Sequence, residues 1–370
     1  MSVSLSVLDL ACIPEGGTAA DTLRGVVELA QVAEQAGYKR YWIAEHHLTT
    51  GLAACSPVVT MGAVAANTSH IRVGSGAVLT GHRTALSIAE DFCALSSFHP
   101  GRIDLGIGRS PGRGRAPSSD DPGAEQRTAR IVGGVYLPAP FDRKRITGTA
   151  RFAAARELLQ QREALADPYP EQIGAILAFL ADTYTVDGMP MPALPGGAQE
   201  LEVWLLGSTG GESARVAGEN GLAFCADYHM NPAHVLDAVA AYRAAFRPSK
   251  HRDRPYVAVS VDALVGAPED VERAAAQRKE WLRRQRAGQG ITPFPDDAAV
   301  AGHPWTVADD ELLVDRIGTH LAGDVDEVVP RLQSLAALTG ADELVVMTLA
   351  HDPAVRRRSY ELLAKAWESG

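Results

Sequence analysis

Short apolar and β-branched runs alternate along this 370-residue chain with longer stretches whose apolar residues recur at helical spacing. This is the pattern of βα units around a parallel sheet. Ser2–Leu10 reads as a strand, Asp21–Ala36 as a helix opened by an acidic N-cap, and Tyr38–Ala44 as a second strand. The pair Ser56-Pro57 supplies an N-cap and a first-turn proline for a helix to Asn67, followed by strand Ile71–Ala77, helix Thr84–Phe98 and strand Ile103–Gly108. From Gly112 to Glu202 the alternation fails. Gly, Pro and Arg surround helical patterns at Arg151–Ala166 and Glu171–Thr183, and residues 112–202 are expected to form an insertion after strand four. It resumes with strands Val203–Leu206, Leu222–Ala226 and Tyr256–Val265 and helices Gly210–Asn220, Pro232–Phe246 and Pro268–Arg286. A polar, Gly/Pro-rich stretch, Ala287–Pro304, precedes helices Val307–Gly318 and Asp324–Thr339, strand Glu343–Met347 and a closing helix from Asp352.

Eight such strands with their helices and two insertions match the size of a (β/α)8 TIM barrel, about 250 residues before insertions. A doubly wound sheet is the other arrangement this alternation allows, though it is more often smaller or split. With neither an internal repeat nor a linker, residues 1–370 read as a single α/β domain.

Composition narrows the function classes. At 46% hydrophobic and 22% charged residues the chain carries enough apolar side chains for a large core, which excludes disorder. Mean hydropathy is −0.06, and the most apolar stretch, Leu52–Ala66, is interrupted by Ser56, Pro57, Thr60 and Gly62. It falls short of the ~20 apolar residues of a membrane span. The first residues lack the basic start of a secretory signal. A net charge of −10 argues against nucleic acid. Cys12, Cys55, Cys93 and Cys225 are far apart and form no CxxC pair, so a reducing cytoplasm is expected rather than a disulfide scaffold or zinc ribbon.

In a barrel of this kind the active site lies at the C-terminal ends of the strands, and these ends are rich in polar residues and glycine. Strand two ends in Glu45-His46-His47. A strand-end histidine titrates near neutral pH and can carry a proton, with a neighbouring carboxylate orienting it; a hydrogen-bonded structural histidine is the alternative. Successive strand residues face opposite ways, so at most one of the two histidines is expected to face the mouth. HEXXH is absent and no third ligand has recognisable spacing, so no metal site is expected.

Arg109 follows strand four, and a guanidinium there suits an anionic ligand. Arg113 and Arg115 behind it read as exposed loop residues. Gly106 and Gly108 with Gly112 do not make GxGxxG, so no NAD site is indicated. Strand five runs into Gly207-Ser208-Thr209-Gly210-Gly211-Glu212-Ser213, which opens a helix. Free amides, hydroxyls and the helix dipole make such a turn able to hold a phosphate together with Arg109, although every helix needs a capping loop of some kind.

At these residues the chain resembles the bacterial luciferase-like flavin monooxygenases. The resemblance is carried by RYWIAEHH (Arg40–His47), HIRVGSGAVL (His70–Leu79), FHPGRIDLGIGRSPG (Phe98–Gly112), VWLLGSTGGESARVAGENGL (Val203–Leu222) and HLAGDVDEVVPRL (His320–Leu332). It implies a (β/α)8 barrel that binds reduced FMN without a covalent bond, or in other branches the deazaflavin F420, and the flavin branches form a C4a-peroxyflavin with O2. By the same resemblance, His46 matches the histidine near the flavin ring, with Glu45 beside it, and Gly76-Ala77 matches a place that often holds a non-proline cis peptide behind the ring. Arg109 matches the phosphate arginine, and Ser208, Thr209, Gly210, Gly211 and Ser213 lie on the phosphate loop. His229 falls among polar residues over the substrate pocket, and residues 287–304 correspond to a mobile lid. Luciferases often carry a carboxylate in the phosphate loop where this chain has the neutral Ser208-Thr209.

The expected function is a monooxygenase that inserts one atom of O2 into a small carbonyl or aromatic substrate. Its reduced FMN comes from a separate flavin reductase, and it assembles as a homodimer. An F420-dependent hydride transferase, for which Arg113 and Arg115 offer basic groups, and a flavin-binding protein without catalysis are the alternatives.

Overall fold

The structure, a computed structural model, describes residues 3–109, 127–142, 148–159, 168–196 and 200–368. Eight strands carry the architecture: β1 (Ser4–Asp9), β2 (Arg40–Ile43), β3 (Arg72–Ser75), β4 (Ile103–Gly108), β5 (Glu202–Gly207), β6 (Ala223–Asp227), β7 (Val257–Val265) and β8 (Glu343–Met347). Each pairs in parallel with the next, and β8 returns to β1 with Ser4 opposite Glu343 and Val7 opposite Val346. The sheet is therefore a closed (β/α)8 TIM barrel, not a doubly wound sheet.

The helices are α1 (Ala19–Gln35), α2 (Pro57–Ala66), α3 (Ala85–Phe98), α4 (Ala150–Leu159), α5 (Tyr169–Leu180), α6 (Glu212–Glu219), α7 (Val235–Ala245), α8 (Pro268–Arg284), α9 (Asp297–Ala301), α10 (Val307–Ile317), α11 (Val325–Thr339) and α12 (Pro353–Glu368). Two starts differ from expectation. Thr18, not Asp21, caps α1: its hydroxyl accepts the Asp21 amide at 3.1 Å, and Asp21 lies inside the first turn. Pro57 opens α2, but the Ser56 side chain makes no capping bond.

Strand periodicity divides the core into two layers. Val7, Tyr41, Val203, Leu205, Phe224, Val257, Val259, Leu344 and Val346 face outward to the helices. Their neighbours Leu8, Trp42, Trp204, Ala223, Cys225, Ala258, Val345 and Met347 face inward. Trp42 and Trp204 meet edge to face at 5.0 Å and fill the barrel. They fit because Gly74 has no side chain: a Cβ there would come 2.5 Å from the Trp42 ring. At Gly106 a Cβ would come 1.9 Å from the Ser75 carbonyl oxygen. Below the tryptophans, the buried Arg40 guanidinium joins Asp104 at 2.8 Å, Glu343 at 3.1 Å and Glu202 at 3.1 Å.

The insertion expected at 112–202 contains α4, α5 and two small antiparallel pairs, Arg130–Val132 with Val135–Leu137 and Thr185–Val186 with Met189–Pro190. Ser110, Gly112, Arg113, Arg115 and the expected helical residues 160–166 lie outside the described residues. Over the mouth, Trp281, Leu282, Phe294 and Leu313 extend the inner layer upward. The stretch 287–304, expected as a lid, is tied to the barrel here. The Phe294 amide donates to the Ile13 carbonyl at 2.7 Å, the Gly51 amide to Ile291 at 3.1 Å and the Trp281 indole to Thr292 at 2.9 Å.

Candidate active site

The C-terminal ends of β2 and β3 bring Glu45, His46 and His47 beside the segment after β3. There β3 stops at Ser75, the Gly76–Ala77 peptide is cis, and Val78–Leu79 pair again with β4. Glu45 is buried, and its carboxylate does not orient His46 as the sequence suggested. Oε1 accepts His47 Nε2 at 2.7 Å and His82 Nε2 at 2.8 Å, and Oε2 accepts the Leu79 amide at 2.8 Å. The reason is the alternation itself: Glu45 and His47 share one side of the extended chain and His46 takes the other. Burial raises the Glu45 carboxyl, but the bonds from His82, His47 and Leu79 and the Arg83 charge more than offset this, leaving it below the usual carboxylate range.

Glu45 Oε1, His47 Nε2 and His82 Nε2 lie within 4.8 Å of one another. The fold thus supplies the third ligand type that the spacing did not reveal. The carboxylate is nonetheless occupied by protein donors, and Arg83 Nε stands 3.6 Å from Oε1, which opposes a bound cation.

His46 has a different setting. Its amide donates to the Ala54 carbonyl at 3.0 Å, while Nδ1 is shut off from solvent without a partner. Burial, reinforced by His229 and His47, pulls its pKa down to about 4, so the ring is neutral at physiological pH. His229, at the end of β6, approaches Ser260 Oγ at 2.7 Å and Asp227 Oδ1 at 3.0 Å through Nδ1. His229 is close enough to lower the His46 pKa, so the β2 and β6 ends share one mouth. Asp227, Ser260 and His82 were not singled out in the sequence: Asp227 carries only a strand-end position, Ser260 sits in mid-strand, and His82 lies on a short connecting turn.

Beyond β4 and β5 lies the expected anion site. Arg109 reaches Glu212 Oε2 at 3.1 Å and lies over the Tyr169 ring at 5.8 Å. Helix α6 starts after Gly211 with no side-chain cap, leaving its first amides free of intrahelical partners. Thr209 Oγ1 accepts the Gly211 amide at 3.3 Å, and the Ser208 carbonyl accepts Asn231 Nδ2 at 2.6 Å. Gly210 passes so close to α7 that a Cβ would come 3.0 Å from the Asp237 carbonyl. The Tyr169 hydroxyl is buried beside Ser213 and makes no hydrogen bond of ordinary geometry; burial pushes its pKa up to about 12. A cation, free helix amides and an orphaned hydroxyl together fit a phosphate. A carboxylate is present after all, on Glu212 rather than at Ser208-Thr209, and it occupies the arginine a phosphate would use.

A family model described as luciferase-like monooxygenase matches residues 3–343. The chain is 30% identical over 368 residues to the N-acetyl-S-alkylcysteine monooxygenase of Bacillus subtilis (strain 168), covering 98% of each chain. Among solved structures it is similar to apo-MsnO8, at 31% identity and TM-score 0.78, covering 99% of this chain and 98% of that one. Two remoter structures share the fold and differ in cofactor. The oxygenating constituent of 3,6-diketocamphane monooxygenase from Pseudomonas putida, in complex with FMN, has 21% identity and TM-score 0.59 over 99% of this chain and 97% of that one. An F420-dependent secondary alcohol dehydrogenase has 13% identity and TM-score 0.61 over 99% and 98%. A closed barrel with its polar groups at the strand ends, matched by the family model over nearly its whole length, belongs to the luciferase-like monooxygenase family of oxidoreductases.

Proposed function

We propose that this chain is the oxygenase component of a two-component flavin monooxygenase. It takes reduced FMN from a separate flavin reductase and transfers one atom of O2 to a small organic carbonyl or aromatic substrate. The observation that carries this reading is the pairing, on one barrel mouth, of a phosphate-sized anion site with a neutral histidine whose Nδ1 is buried. Arg109, Ser213, Tyr169 and the α6 amides would hold the FMN phosphate, displacing Glu212 from Arg109. Thr209, Gly210 and Gly211 shape the turn, and Gly76-Ala77 would back the ring. When bound, the reduced flavin supplies the electrons that activate O2. His46, uncharged and only partly exposed, can donate or accept a hydrogen bond at the reacting end without placing a positive charge beside it. Trp281, Phe294 and Leu313 exclude water from the mouth. Glu45 acts at one remove by holding His47 and His82.

The test is an anaerobic titration with reduced FMN followed by air. A flavin spectrum that is neither reduced nor oxidised and outlasts mixing is expected. Immediate conversion to oxidised FMN would refute the reading, and tighter binding of F420 than of FMN would replace it with hydride transfer.

A further inference from the structure

A second polar cluster, untouched by the flavin reading, lies above the end of β7. Asp262 accepts Arg278 Nε at 2.5 Å, and Arg286 binds both oxygens of Asp315 at 2.5 and 2.6 Å. Each of these arginines is in contact with a carboxylate; Arg316 forms no ion pair among the described residues, although Asp262, whose Oδ1 is unpartnered, and Asp315 are near enough to act on its charge. Its side chain is buried, 5% exposed as a residue. Nη1 reaches only the Met230 sulfur at 3.4 Å, and Nε has no partner. Asp227 is near enough to feel its charge but is engaged by His229 and the Met230 amide. His320, held neutral with a pKa of about 3, adds no charge. Burial and Arg278 depress Arg316 itself to about 10.

Arg316 lines a cavity of about 60 Å3 together with Met230, Asn231, Gln285 and the Arg286–Asp315 pair, in which both Asp315 oxygens are already taken by Arg286. Gln285 Nε2 is a second buried donor without a partner. Two orphaned donors, one of them cationic, on one cavity call for an acceptor that carries negative charge, since an unpaired buried guanidinium is costly. The volume admits a group of a few heavy atoms and excludes a flavin ring. Met230 directly follows His229, which puts this cavity beside the mouth.

We infer that the cavity is a carboxylate subsite, with Arg316 and Gln285 as its donors, and that the organic substrate is an acid held by this group. The assignment of the bound acid as substrate rests on the monooxygenase reading; the binding of a carboxylate does not.

The probes are benzoate and its neutral isostere benzamide, titrated into the whole protein by calorimetry without flavin. Benzoate should bind about tenfold or more tighter than benzamide. Arg316→Gln should abolish that preference, and Arg109→Ala should leave it intact, which separates the cavity from the phosphate site. Equal binding of the two probes, or a preference lost with Arg109 and kept without Arg316, overturns the inference. Should Arg316→Gln fail to fold, Gln285→Leu decides: benzoate weakened severalfold supports the subsite, and unchanged affinity overturns it. Loss of the monooxygenase reading would leave these ratios as they are.

Discussion

His46 makes folding stability depend on pH in a calculable way. In the unfolded chain its imidazole titrates near 6.5, and in the folded protein burial holds it at about 4. A base with a depressed folded pKa is protonated first in the unfolded state. Stability is therefore complete above pH ~6.5 and is lost as pH falls toward 4. At about 1.4 kcal/mol per unit, the full shift amounts to about 3 kcal/mol, of which about 2 kcal/mol is lost between about pH 7.5 and pH 5. His320, with a pKa of about 3, gives a parallel loss that is common to wild type and variant. Urea unfolding at several pH values, comparing wild type with His46→Asn, isolates the difference. The wild type should lose about 2 kcal/mol more than the variant over that interval. Parallel losses would mean that water or a charge reaches Nδ1, and the neutral-histidine argument would fall. The same depressed pKa predicts that the rate profile of the working enzyme shows no His46 inflection near 6.5.

Three further outcomes follow from the contacts. Arg109→Ala should weaken FMN about 10- to 100-fold and riboflavin hardly at all, as expected for losing charged hydrogen bonds to a phosphate; equal losses would remove the phosphate assignment. Glu212→Gln takes away the carboxylate on Arg109, so FMN should bind a few-fold tighter in fluorescence titration, whereas weaker binding would show Glu212 to be part of the site. Arg40→Met strips the cation from the buried Asp104 and Glu343 and should cost about 3–5 kcal/mol in denaturant unfolding, and a loss below about 1 kcal/mol would contradict the reading of that network.

Strand ends were the informative part of the sequence for function. Arg109 and the glycine turn before α6 stand out locally, because each depends on a residue type at the end of a β-run, whereas Gly76-Ala77 was marked only by the family resemblance. The network around Glu45 was not recognisable. Its partner His82 lies 37 residues away, on a segment that reads as an ordinary connection. Likewise, the neutral Ser208-Thr209 pair suggested a loop without a carboxylate to oppose a phosphate, yet Glu212, 103 residues from Arg109 in sequence, turns onto that arginine.

By itself, the sequence determined the eight strands, their alternation with helices and the strand ends that carry polar groups. All three follow from local periodicity, which the backbone obeys wherever a sheet face must be buried. Tertiary structure alone decided which charges meet. Closure of the barrel sets Glu45 on His47 and His82, leaves His46 Nδ1 unpartnered, and places Arg316 in a cavity whose carboxylate, Asp315, is already held by Arg286. A side chain's charge is written in the sequence, but its solvation and its neighbours exist only once distant segments are packed together.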